Sequence, residues 1–246
     1  MTIKKAVFFG ILIPIIIFSL FLAYRYSSRP RVETPAALVA NFQLTPTQVI
    51  DSLPNRHLIQ TFFVPQAPKK DWNQPWQDTC EEASLLTVKY YYLSVNPNPN
   101  QLLDDYQQVL DFESKNHWSH DINLSQMAQI GSDFFGLKPK IIENPDLKTI
   151  KDYLVKNIPV IITANGKTLF AENKHFKNGG PWYHSLVILG YDDTKKQFIV
   201  HDVGTQFGAY FRYSYQLLLA SIHDWPDSNK KEDIDNGQKA VLILLK

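Results

Sequence analysis

An α+β fold is predicted by three features of this 246-residue chain. Segments with helical spacing of apolar residues come first, between about residues 80 and 156. Period-two alternation and continuous β-branched runs come later, from 158 to the C-terminus. Asp192-Asp193-Thr194-Lys195 is turn chemistry joining two of those late runs as a hairpin, which favours antiparallel pairing.

The elements follow in order. Residues 1–5 are a short basic N-terminus with Lys4 and Lys5. Residues 6–24 (AVFFGILIPIIIFSLFLAY) carry no charge, and as a helix they would span roughly 30 Å, the thickness of a bilayer core. Pro14 would kink such a helix, which membrane helices tolerate. The run is longer than a usual signal-peptide core, and Arg25 stands where a small-residue cleavage site belongs. We therefore read 6–24 as an uncleaved transmembrane signal anchor, with the lipid bilayer as its partner. Basic residues flank both ends, so charge alone does not set its orientation. Residues 25–60 read as a linker, with Pro30, Pro35, Pro46 and Pro54 and a short helix at 47–53 capped by Thr45.

The soluble part is assigned to 61–246. TFFV (61–64) reads as a strand stopped by Pro65. Cys80 opens a helix, CEEASLLTVKYYYLSV, with Thr79 as N-cap and Glu81 and Glu82 in the first turn, where acids are favoured. Pro97 and Pro99 end that region. Further helices are expected at about 100–112, at 123–135 (stopping at Gly136), and from a cap at Asp146 to Lys156. Strands are expected at 139–143, 158–164, 184–191, 196–202, 208–213 and 240–245, with one helix at 215–223.

Composition excludes several function classes. Lys+Arg 25 against Asp+Glu 24 gives a net charge of +1, and without residues 1–31 the remaining 20 basic and 24 acidic residues give −4. That is no nucleic-acid footprint. One cysteine allows neither an internal disulfide nor a cysteine-rich zinc site. His117 and His120 are spaced to chelate but lack a third ligand, so no metal is expected. The phosphate-binding Gly-rich loop, H-E-x-x-H, G-x-S-x-G and dinucleotide patterns are missing, and no cofactor is expected.

The residues with chemistry are Cys80, His184 and Asp202. A cysteine at a helix N-terminus has its thiolate favoured by the dipole and by unpaired N–H groups. A nucleophile also needs a base, and the base an orienting group. With the hairpin turn centred near 193, His184 falls opposite Asp202, whose carboxylate can fix the imidazole tautomer. His201 falls on the other strand face and reads as structural.

The stretch FFVPQAPKKDWNQPWQDTCEEASLL (62–86), with HSLVILGYDD (184–193) and FIVHDVGTQFG (198–208), resembles the C39-like, papain-fold cysteine peptidases in order and surroundings. The resemblance covers roughly 62–246. It implies an N-terminal helical part whose nucleophile helix packs on an antiparallel sheet. It also implies Cys80 as nucleophile, His184 as base and then acid, and Asp202 as orienting group. Such peptidases add a glutamine N–H to the oxyanion hole, and Gln66 is implied here, with Gln77 and Gln74 as alternatives. Trp72, Trp76 and Trp182 are candidates to line a substrate groove. The family often has Gly after the Cys. Here Glu81 and Glu82 stand there, and their charge would oppose the helix dipole and a charged His184 in setting the thiol pKa.

The expected function is a membrane-anchored cysteine peptidase that hydrolyses peptide or isopeptide bonds of a peptide or protein substrate through a Cys-His-Asp triad. It would be single-pass in the cell membrane with its soluble domain extracytoplasmic. The alternatives are a non-catalytic C39-like binding module at the membrane surface, and a cell-wall amidase or transglutaminase-type acyl transferase.

Overall fold

The computed structural model describes residues 53–246. The expected anchor at 6–24, the N-terminus at 1–5, the helix at 47–53 and most of the linker lie outside the described residues. Among the described residues, no helix is long and apolar enough to cross a membrane.

A seven-stranded antiparallel sheet organises the domain. Its strands are β1 (Arg56–Leu58), β2 (Lys138–Glu143), β3 (Val160–Asn165), β4 (Tyr183–Asp192), β5 (Gln197–His201), β6 (Phe211–Ser214) and β7 (Ala240–Leu245), in the order β2-β7-β3-β4-β5-β6. The central strand β4 serves two partners on one edge. Its first half pairs with β3 and its last three residues pair with β1. The apolar runs explain this placement: β3 and β4 are buried along their whole lengths, as strands covered on both faces must be.

The helices are α1 (Cys80–Leu93), α2 (Pro99–Lys115), α3 (Leu124–Gln129), α4 (Leu147–Leu154), α5 (Gly166–Leu169) and α6 (Tyr215–Ser221). Capping fixes several starts. Asn98 accepts from the N–H groups of Asn100 and Gln101, with Pro99 at the first helical position. Asn123 and Gln126 form a reciprocal capping box. Asp146 accepts from the Thr149 N–H, as the sequence predicts. The α3 helix runs into a π-helical turn, Ile130–Phe134, before Gly136 takes a positive φ of 66°.

α1 is buried almost all round, including Ala83, Leu85, Leu86 and Val88, and packs against β4. It is thus a central helix with no polar stripe. Its residues Glu81 and Glu82 are 0% and 1% exposed, which no surface-helix reading anticipates.

Four expectations are corrected. TFFV forms no strand. Its Thr61 instead exchanges backbone hydrogen bonds with the Tyr210 hydroxyl, N–H to Oη and Oη–H to carbonyl. The sheet reaches into the stretch read as linker, because β1, Arg56–Leu58, pairs with β4 opposite Asp192–Gly190. Thr79 occupies the N-cap position, but its side chain makes no capping bond and donates to the Gln66 carbonyl at 3.0 Å. Finally, the hairpin register differs: Asp192 pairs with Gln197 and Val187 with His201, with a bulge between Ile188 and Gly190. Two causes act together. The turn is longer than expected, with Lys196 at a φ of 53°. The bulged Leu189 turns its carbonyl to the Ile59 N–H, while a Cβ on Gly190 would lie 2.3 Å from the His57 carbonyl oxygen.

Candidate active site

The observed register brings Asp202 level with Leu186, so His184 and Asp202 are diagonal neighbours on one face of the sheet. The diagonal suffices: His184 Nε2 lies 2.8 Å from Asp202 Oδ1. Both side chains are buried. Phe176 packs edge-on against the imidazole at 5.2 Å between ring centres. Gly204 closes over it from the turn after β5, where an added Cβ would stand 2.6 Å from His184 Cε1.

Asp202 is held by more than the histidine. Tyr213 Oη donates to Oδ2 at 2.5 Å, Asn173 Nδ2 donates to Oδ2 at 2.8 Å, and the Gly204 N–H reaches Oδ1 at 3.3 Å. Burial alone would raise this carboxyl. The charge and hydrogen bond of His184, then the bonds from Tyr213 and Asn173, outweigh it and hold Asp202 below the usual carboxylate range.

Cys80 begins α1, with 4% of its surface exposed. Its Sγ accepts from the Ser185 N–H at 3.3 Å, so the thiol sits against the strand residue next to His184. Its second partner is Glu81, with Sγ donating to Oε2 at 2.9 Å. Ser84 Oγ bonds both the Cys80 carbonyl and the Ser185 hydroxyl, tying α1 to β4 beneath the thiol. Burial, then the Glu81 charge and hydrogen bond, push the thiol well above its ordinary value, and the Ser185 N–H only partly opposes them. The balance between the helix dipole and the two glutamates therefore goes to burial and Glu81.

The glutamines fall in different places. Gln66 is buried, and its Nε2 donates to the carbonyls of Trp76 and Gln77 at 3.1 and 2.7 Å. Its backbone N–H donates to the Val203 carbonyl. Gln66 thus clamps the loop before Cys80 to the loop after Asp202, and both its amide hydrogens are engaged. Gln74 donates to Asp78 Oδ2, and Gln77 is exposed. Of the tryptophans, Trp76 is half-buried and packs edge-on against Tyr106 at 5.4 Å, a core contact. Trp72 and Trp182 are exposed, Trp182 beneath the Lys167 ammonium.

His201 lies among Phe63 and Tyr210 with both ring nitrogens unpartnered, and burial lowers its pKa to about 4. That agrees with a structural role. Among the described residues, no cluster of three or more His, Cys, Asp or Glu side chains could hold a metal ion. The site residues that sequence reasoning misses are Asn173 and Tyr213.

A thiol at a helix start, beside a strand whose histidine is paired with a buried carboxylate, is the layout of a cysteine hydrolase. The chain belongs to the Peptidase_C39 like family, whose model matches residues 63–231. It is by that membership a peptidase-like hydrolase. Among solved structures it is similar to a protein from Bacillus anthracis assigned to the C39-like peptidases, at 12% identity, covering 78% of this chain and 98% of that one, with a TM-score of 0.46. It is also similar to xylellain, a cysteine protease from Xylella fastidiosa, at 12% identity, covering 81% of this chain and 89% of that one, with a TM-score of 0.42. The search of curated proteins gives no match.

Proposed function

We propose that the chain is a membrane-anchored cysteine peptidase that hydrolyses peptide bonds with Cys80 as nucleophile, His184 as proton carrier and Asp202 as orienting group. The observation that carries this reading is the buried His184–Asp202 pair at 2.8 Å, with the Cys80 thiol against the neighbouring Ser185 N–H. The Asp202 carboxylate accepts a hydrogen bond from Nε2–H of the imidazole, which leaves the other ring nitrogen for the thiol and the substrate.

In the acylation step Cys80 Sγ passes its proton to the free ring nitrogen of His184 as it bonds to the scissile carbonyl carbon. The C–N bond breaks, His184 protonates the departing amine, and a thioester remains. His184 then takes a proton from water as the water oxygen bonds to the acyl carbon, and the C–S bond breaks as that proton passes to Sγ. The Cys80 backbone N–H, at the start of α1, is the oxyanion donor supplied by the helix.

A full-length preparation in detergent should cleave fluorogenic peptides, and Cys80→Ala should abolish turnover. Equal turnover by Cys80→Ala would refute the reading. A labelled peptidoglycan stem peptide, cleaved in preference to ordinary peptides, would move the substrate class to the cell wall. One observation favours a second reading. The raised Cys80 thiol suits a non-catalytic module, and a thiol inert to alkylation with no turnover at any pH would select it.

The anchor is argued from residues 6–24 of the sequence, uncharged and long enough to span a bilayer. The full chain should stay with membranes through alkaline carbonate extraction. Protease added outside intact cells should digest the folded domain. Release by carbonate would remove the anchor from this proposal.

A further inference from the structure

We propose that the substrate carries a carboxylate side chain near its scissile bond, and that Lys167 and Lys174, on the segment that flanks His184, receive it. The inference rests on the peptidase reading above and adds a substrate class to it, an acidic peptide.

The argument starts from charge. Residues 166–182 (GKTLFAENKHFKNGGPW) hold three lysines and one glutamate. The chain beyond residue 31 holds 20 basic and 24 acidic residues, so this segment runs against the charge of the rest. The other two loops at the site show no such bias. Residues 65–79 hold two lysines and two aspartates, and 203–208 hold no charge. An acidic peptide approaching this domain meets net repulsion overall and attraction at 166–182.

Buried side chains fix the segment to the catalytic residues. Asn173 Nδ2 donates to Asp202 Oδ2 at 2.8 Å, and Phe176 packs against the His184 imidazole. Lys174, His175 and Lys177, between and beside those two, are exposed. The cations therefore ride on the short stretch that holds the His184–Asp202 pair. Trp182, two residues before His184, is also exposed, and the Lys167 ammonium stands 5.3 Å from its ring centre. Two residues of extended chain span about 7 Å, so this ammonium lies within about four residues' length of the imidazole.

The ammonium groups are placed but not neutralised. Lys167 Nζ gives one hydrogen to the Asn178 carbonyl at 3.1 Å, and Lys174 Nζ stands 4.1 Å from the Phe170 ring centre. Ring faces and a carbonyl orient a cation without cancelling its charge. Among the described residues, neither lysine pairs with a carboxylate. Glu172, the one acid of the segment, is turned to β6, where it accepts from the Ser214 N–H and hydroxyl. An ammonium has three hydrogens to donate, so both lysines keep donors that no described protein group takes. Lysine acts as a point charge rather than a planar fork, which suits a carboxylate on a flexible side chain.

The test uses the full chain in detergent and matched fluorogenic peptides with amidated C-termini. Glu, Gln or Lys stands in turn at each position within about four residues of the cleaved bond. At low salt kcat/KM should favour Glu over Gln by about tenfold at one or more positions, the worth of a charge-assisted hydrogen bond, and Lys there should be poorest. The preference should shrink as ionic strength rises to about 0.5 M. Lys174→Glu alters an exposed side chain, so the fold is not at stake. It should weaken the Glu preference and improve the Lys peptide. Lys167→Gln combined with Lys174→Gln should bring the Glu-to-Gln ratio near one. Lys138→Gln combined with Lys140→Gln makes the same change of charge on the exposed strand β2, separated from β4 by β7 and β3, and should keep the parent's ratio. Equal rates on Glu and Gln peptides at every position would overturn the inference and leave the peptidase reading standing. So would a preference that survives loss of both Lys167 and Lys174. A parent that cleaves none of the peptides would sink the peptidase reading, and this inference with it.

Discussion

Asp202→Ala is expected to cost about 3–5 kcal/mol of stability and to lower peptide turnover by about 10⁴-fold, a pair of effects with one origin. The Asp202 carboxylate is wholly buried and accepts from His184, Tyr213, Asn173 and the Gly204 N–H. Removing it strands three side-chain donors in a dry interior, each of which had exchanged water for that carboxylate. It also frees the imidazole to turn or to change tautomer, which accounts for the loss of turnover. Asp202→Asn separates the two effects. The amide keeps the volume but turns an NH₂ toward a donor on one side, so it should retain more stability than the alanine variant while turnover stays low. Urea unfolding and peptide hydrolysis on the same preparations decide it. An alanine variant as stable as the parent would show that the cluster carries no net stabilisation. The sign with pH follows from the depressed carboxyl: its contribution is present above the ordinary Asp value and is lost as pH falls through the folded one.

Much of this arrangement can be read from the sequence, and the parts that cannot have physical causes. Period and capping place most helices and late strands within a few residues, as Asp146 does for α4, whereas Pro99, which reads as a helix stop, is the first residue of α2 behind its Asn98 cap. The order Cys80, His184, Asp202 is likewise visible, since each lies at an element boundary with a local signature. The register is not. It depends on a bulge at Leu189 that answers to β1, a three-residue strand more than 120 residues earlier in the chain. Nor can Asn173 and Tyr213 be found by pattern. One lies in the segment after α5 and the other on β6, and only the folded sheet brings them to one carboxylate. Glu81 and Glu82 are legible as residues but not as chemistry. Their sign depends on burial, and a helix with acids in its first turn ordinarily shows them to water. The glutamine assignment meets a different obstacle: Gln66 sits beside the Cys80 loop as expected, but its amide hydrogens go to loop carbonyls.

The buried acids lead to the other large expected effect: thermal stability should fall as pH rises from about 5 to 8. Glu82 has both carboxylate oxygens unpartnered, and Glu113 has one, within hydrogen-bonding reach of each other between α1 and α2. Two acceptors can bond only if one carries a proton, so the pair favours the protonated state. Burial raises Glu82 well above its ordinary value, and it raises Glu113 from 4.5 to about 7. Burial also lifts Asp121, from 3.8 to about 6. The sign is fixed by proton counting. Between the unfolded carboxylate range and these raised values the folded chain binds more protons than the unfolded one, so each increment of pH favours unfolding. For Glu113 alone, the rise from 4.5 to about 7 corresponds to roughly 3 kcal/mol lost across the window, or about 6–12 °C in Tm for a domain of this size. Glu82→Gln removes one ionisable group and supplies an N–H that the Glu113 carboxylate can accept. It should therefore raise Tm at pH 8, leave Tm near pH 5 almost unchanged, and flatten the slope between them. Melting curves of the parent and this variant at both pH values read the effect directly. A parent whose Tm climbs from pH 5 to 8 would mean that these carboxylates are ionised at little cost.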